Sequence, residues 1–132
     1  MKAQRERPLS LKFRTAEATL RVPPVALSTS RMIELMELAA IRLMRTHLAD
    51  GESSVSTGMK VTHVAPASAG GALRAVAAYQ GIVGRLHRFT INVFDESGLI
   101  GSAEHTRAVV TEPGLLALAR RPAEQASALL TV

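Results

Sequence analysis

The sequence predicts an α+β fold in which one long helix is wrapped by an antiparallel sheet of about five strands. Two patterns and one bulk property predict it. The segment 30–48, SRMIELMELAAIRLMRTHL, contains neither Gly nor Pro and is rich in strong helix formers. On either side of it, apolar and polar residues alternate at a period of two, and the alternating runs are separated by Gly, Asp and Ser turns. Hydrophobic residues make up 47% of the chain but aromatics only 3%, so the core must be built from Ala, Leu, Val, Ile and Met.

The 132 residues suffice for one domain with a real core, expected to be ordered from about 10 to 121. Residues 11–22 (LKFRTAEATLRV) read as a strand closed by Pro23-Pro24, which can continue neither a helix nor a central strand. Ser28, Thr29 and Ser30 are helix caps, with Thr29 taken as the N-cap. At 100° per residue Arg31, Glu34, Arg42 and Arg45 form one solvated stripe of the helix, and Asp50-Gly51 stops it. In 53–64 Val55, Thr57, Met59, Val61 and His63 share a face. Gly70-Gly71 turns the chain into 72–80, and Gly81 to Gly84 turns it again into 85–95, where His87, Phe89, Ile91 and Val93 alternate with Arg88, Thr90 and Asn92. DESG (95–98) makes a tight hairpin to 99–111, and a short helix over 114–121 precedes a loose tail after Pro122. The four strands after the long helix are thus joined by hairpins. Because that helix is apolar over more than half its circumference, the sheet should wrap it, which is the hot-dog fold by description. The free sheet edges and second face call for a partner, so a homodimer is expected.

Without cysteine the chain has no disulfide, thiolate metal site or Cys nucleophile, in keeping with a reducing cytoplasm. The N-terminus MKAQRERPLSLKF is charged rather than signal-like, and no apolar run reaches the ~20 residues of a membrane span. No membrane role is expected. The net charge of +5 suits an anionic partner, but the basic residues are scattered and only Phe13, Tyr79, Phe89 and Phe94 offer stacking surfaces. That argues against nucleic acid and for a phosphorylated small molecule, unless the charge serves solubility alone.

Three residues stand out as reagents. Glu37 lies beside the solvated stripe, with Ile33 and Ile41 one turn away and Ala40 and Met44 on the same flank. A carboxylate among apolar neighbours is costly unless paired, hydrogen-bonded or protonated. Thr29 lies at a helix N-terminus, where amides and dipole favour an anion or oxyanion. His63 ends a strand behind Val61 and Met59. Together they can position a nucleophile, move a proton and steady an imidazolium. Each also has a plainer reading: an N-cap for Thr29, a core histidine for His63, a structural partner of Arg107 for Glu37. The four histidines are dispersed, with no metal-binding spacing.

LMELAAIRLM (35–44), MKVTHVAPAS (59–68) and GSAEHTRAVV (101–110) resemble hot-dog thioesterases of the fluoroacetyl-CoA thioesterase type, and with Thr29 the likeness runs from about residue 28 to 111. It implies a catalytic set of Thr29, Glu37 and His63, with Arg107 in a supporting role. The family's glycine seven residues before the histidine is replaced by Ser56, followed by Thr57, and both are assigned to substrate binding. The Val25-Ala26-Leu27-Ser28 segment is shorter than the Phe-containing lid of the fluoroacetate enzyme. The resemblance therefore implies acyl-CoA hydrolysis as a class rather than that substrate, with coenzyme A entering as part of the substrate and no separate cofactor. Lys60, Arg85, His87 and Arg88 are candidates for the CoA phosphates, Ile33, Met36, Ala40 and Val61 for the acyl lining, and His105 is assigned to packing. The alternatives are a non-catalytic acyl-CoA binding protein and an acyl-CoA hydratase or dehydratase.

Overall fold

The computed structural model describes residues 14–22, 27–67 and 70–120. Their elements are β1 (Thr15–Arg21), α1 (Thr29–Arg45), β2 (Glu52–His63), β3 (Ala72–Val83), β4 (Leu86–Asp95), β5 (Gly98–Thr111) and α2 (Glu112–Ala119). Pro23-Pro24 and the tail after Pro122 lie outside the described residues.

The five strands form one antiparallel sheet in the order β1-β3-β4-β5-β2. One expectation fails here: β2 and β3 are not a hairpin. The start of β3 belongs to β1, because Val22 N–H donates to Gly71 O at 2.7 Å and Gly70 N–H to Val22 O at 3.0 Å. With that edge occupied, β2 crosses over and pairs with β5, from Glu52↔Thr111 to His63↔Gly101. Strands β1 and β2 are therefore the two edges.

Helix α1 buries Met32, Leu35, Met36, Ala39, Ala40, Leu43 and Met44 against the sheet and leaves Arg31, Glu34, Arg42 and Arg45 exposed, as its 3.6-residue period dictates. Opposite it lie Leu73, Ala75, Ala77, Tyr79, Phe89, Ile91, Val93 and Ile100. The helix rests mainly on β1 and β3, so its β2 flank is the more open one. This is the hot-dog arrangement expected from the sequence.

The register shifts at three places in the sheet, and two of them change the expected pattern. The expected turn over 81–84 is a two-residue turn, Gly84-Arg85, with Gly84 at φ 61° and β3 running on to Val83; the surplus is absorbed where the β3–β4 register shifts between Tyr79 and Gly81. In β2 the register shifts between Ser56 and Gly58, so Thr57 has no partner in β5. An extra residue exchanges the faces of everything before it. Val55 pairs with Ala108 and so leaves the Met59–Val61–His63 face, while Ser54 and Ser56, opposite Val109 and Arg107, join it.

Candidate active site

The first turn of α1 meets the end of β2. Ser28, not Thr29, is the N-cap: its backbone is extended and its hydroxyl accepts from Arg31 N–H at 3.2 Å. Thr29 is released from capping, and its Oγ1 stands 3.1 Å from His63 Nδ1. Both side chains are exposed. The close approach depends on Gly101, directly across the ladder from His63. A Cβ there would stand 2.6 Å from Met32 Sδ, 2.8 Å from its Cε and 3.1 Å from Thr62 O, so any side chain would make the Met32 thioether shift.

A second cluster lies farther along the same flank. Glu37 is half-buried, two turns and about 12 Å along the axis from Thr29. It is not joined to the Thr29–His63 pair within one chain. Its charge acts instead on Arg107 and His105, opposing the burial that lowers both their pKa values. Arg107 is only 3% exposed. Its Nε donates to Ser54 Oγ at 2.9 Å, its Nη2 to Ser54 O at 3.0 Å and its Nη1 to His105 Nε2 at 3.1 Å. His105 Nδ1 donates in turn to Gly58 O at 2.7 Å. Burial pulls the His105 pKa down; the Gly58 bond and Glu37 oppose this, and the Arg107 charge adds to it. Burial also lowers Arg107, with Glu37 as its counterweight.

Sequence reasoning missed Ser54, Gly58, Gly101 and the polar role of His105. The signal was present in the two glycines inside strand patterns, which mark bulges or close approach. Gly58 meets both conditions, since a Cβ there would lie 2.9 Å from Thr106 Oγ1.

The other expected site residues are dispersed. Ser56 lies on the Arg107 face and is exposed; Thr57 donates to Thr106 Oγ1 at 2.8 Å on the other face. Lys60 and Arg88 are exposed on the outer face, where they line one cavity of about 370 Å³ with Gln80, Thr90 and Thr106. Arg88 is five positions down β4 from Val93, the residue level with His63, or roughly 17 Å, and Arg85 in the turn is farther still. His87 cannot meet a phosphate: it is buried on the inner face, its Nδ1 is 2.9 Å from the Tyr79 hydroxyl, and burial together with His47 lowers its pKa. Met36 and Ala40 are fully buried core, leaving Ile33 and Val61 as half-exposed residues of the expected acyl lining. Among the described residues no three His, Asp or Glu side chains gather as a metal site, and no helix is long and apolar enough to cross a membrane.

The long helix packed on one antiparallel sheet places the chain among hot-dog thioesterases. The chain belongs to the fluoroacetyl-CoA-specific thioesterase family, whose profile matches residues 12–113. It is 34% identical over 87 residues to the fluoroacetyl-CoA thioesterase of Streptantibioticus cattleyicolor, a match covering 66% of this chain and 63% of that relative's length. The solved structure of the fluoroacetyl-CoA thioesterase FlK superposes with a TM-score of 0.76 at 26% identity, covering 83% of this chain and 96% of that one. A Thermus thermophilus thioesterase superfamily member gives a TM-score of 0.78 at 25% identity, covering 87% and 94%.

Proposed function

We propose that this protein hydrolyses an acyl-CoA thioester to the free acid and coenzyme A, with Thr29, His63 and Glu37 as its catalytic residues. The observation that carries the reading is the 3.1 Å contact between Thr29 Oγ1 and His63 Nδ1 at the N-terminus of α1. A thioester carbonyl placed over that terminus would lay its developing oxyanion against amide groups and the positive end of the helix dipole. The Arg31 amide is occupied by Ser28, which leaves Ser30 as the amide for that task. His63 takes the proton of the attacking oxygen, whether from Thr29 or from water held by Thr29, and returns it to the departing thiolate. Glu37, kept close to Arg107, supplies the negative charge that steadies an imidazolium or directs water. The fluoroacetyl-CoA activity of the relative supports the substrate class. The acyl group here is bounded by Ile33 and Val61, with no aromatic side chain from the short 25–28 segment.

Lys60 remains the best placed of the phosphate candidates, three residues from His63, while Arg85 and Arg88 suit the far end of an extended CoA. Water is the only co-substrate this chemistry needs. We place the enzyme in the cytoplasm as a homodimer formed through the β2 edge, whose 12 residues would otherwise leave a long ladder unpaired.

The test is thiol release from a panel of acyl-CoAs, short-chain through aromatic, by the wild type and by His63→Ala. Loss of general acid–base help should cost roughly 10²–10⁴-fold in kcat. Because His63 is exposed, the melting temperature should not move. Release from no thioester, with CoA esters still bound, would turn the protein into a binding module.

A further inference from the structure

We propose that His105 is a positioning residue, the middle link of a hydrogen-bonded bridge that clamps the β2 bulge and orients Arg107 toward Glu37. The inference rests on the thioesterase reading for its consequence, but the bridge stands on geometry. Ser54 precedes the bulge and Gly58 follows it. Between them runs one chain of bonds: Ser54 accepts from Arg107 at 2.9 and 3.0 Å, Arg107 Nη1 donates to His105 Nε2 at 3.1 Å, and His105 Nδ1 donates to Gly58 O at 2.7 Å. The segment enclosed is Val55–Thr57, which contains the Ser56–Thr57 pair assigned to the substrate.

The direction of each bond is fixed. A guanidinium can only donate and a carbonyl can only accept, so His105 must carry its proton on Nδ1 and offer the Nε2 lone pair. Only the neutral imidazole does both. A second proton would set an Nε2–H against an Arg107 N–H, two donors and two like charges 3.1 Å apart. Of its surroundings only Glu37 of α1 could relieve it: the ring is 1% exposed, with Phe89 of β4 at 6.1 Å between centroids and the neutral Met59 of β2 across the ladder. The buried, neutral ring thereby holds one Arg107 N–H, and Ser54 holds two more. Glu37 acts by its charge on the guanidinium held in this way. Burial, which holds the His105 pKa down, acts in the same direction.

Two substitutions separate positioning from simple packing. His105→Gln supplies an amide N–H for Gly58 and a carbonyl for Arg107 and does not titrate; His105→Phe fills the space and breaks both bonds. With an acyl-CoA that the wild type hydrolyses, we expect Phe to lower kcat/KM at least tenfold. Gln should stay within about threefold and lose the acid-side inflection that belongs to His105. Equal impairment by both variants, or wild-type kinetics in both, would overturn the assignment. A second readout needs no turnover. Nitrogen-15 spectra of the intact wild type should show an Nδ1–H ring with a slowly exchanging Arg107 Nε–H, preserved in Gln and lost in Phe. An Nε2–H ring, or Arg107 protection unchanged in Phe, overturns the bridge, whereas wild-type inactivity on every thioester overturns only the thioesterase reading.

Discussion

Ser28 and Thr29 are adjacent hydroxyl residues with different work. Ser28 satisfies an orphan amide of α1, and Thr29 reaches across to His63. Ser28→Ala should therefore cost about 1 kcal/mol of stability, the ordinary value of an N-cap, while leaving most turnover. Thr29→Ala should leave the melting curve alone and reduce thiol release; melting and turnover measured on both variants decide whether the roles are separate. Gly101 works through its missing side chain. Gly101→Ala forces the Met32 thioether to move in a filled core, at the low end of about 1–3 kcal/mol by denaturant titration.

Among the elements, the β2 bulge and the sheet's inner face carry the consequences. Gly58→Ala would press against Thr106 Oγ1, so it should destabilise alone and recover when combined with Thr106→Ala. A double-mutant cycle should return a coupling of roughly 1 kcal/mol or more. His87 and His105 both lie on the buried inner face with depressed pKa values. In the unfolded chain each binds its proton near the ordinary 6.5, while the fold holds each neutral to lower pH. Their contribution to stability is thus complete above about pH 6.5 and lost as pH falls from there toward the depressed folded values. Denaturation midpoints should drop between pH 7 and pH 5, and His105→Gln should flatten part of that slope.

At the level of the whole molecule, the separation of about 12 Å between Thr29 and Glu37 has a direct consequence for assembly. Antiparallel pairing of two β2 edges about a two-fold axis near Val61 would bring the His63 end of one strand opposite Met59 of a second copy. Met59 lies across the ladder from His105, the ring that feels Glu37. A site shared in this way makes a sharp prediction. Inactive His63→Ala and Glu37→Gln proteins, unfolded and refolded together, should regain activity, because one site of each mixed dimer keeps both residues. A site confined to one chain would regain none. Sedimentation should report twice the 14.1 kDa chain mass.

Amphipathic period and turn residues determined much by themselves: the one long helix, its buried and solvated faces, the strand alternation of β4 and the hairpin at 95–98. Those are local signals, carried by side chains a few positions apart. The stretches 35–44, 59–68 and 101–110 also marked the family. What the sequence could not decide were matters of long range. Which strand adopts β2 depends on hydrogen bonds from Val22 to Gly70 and Gly71, across nearly fifty residues. The single extra residue at Thr57 reverses which β2 side chains face Arg107, and no periodicity records so small a slip. The division of labour between Ser28 and Thr29 followed from where His63 stands, and the burial of His87 and His105 from the sheet that covers them. Tertiary structure decided these because a donor, an acceptor or a missing Cβ has meaning only against the neighbour that the fold brings to it.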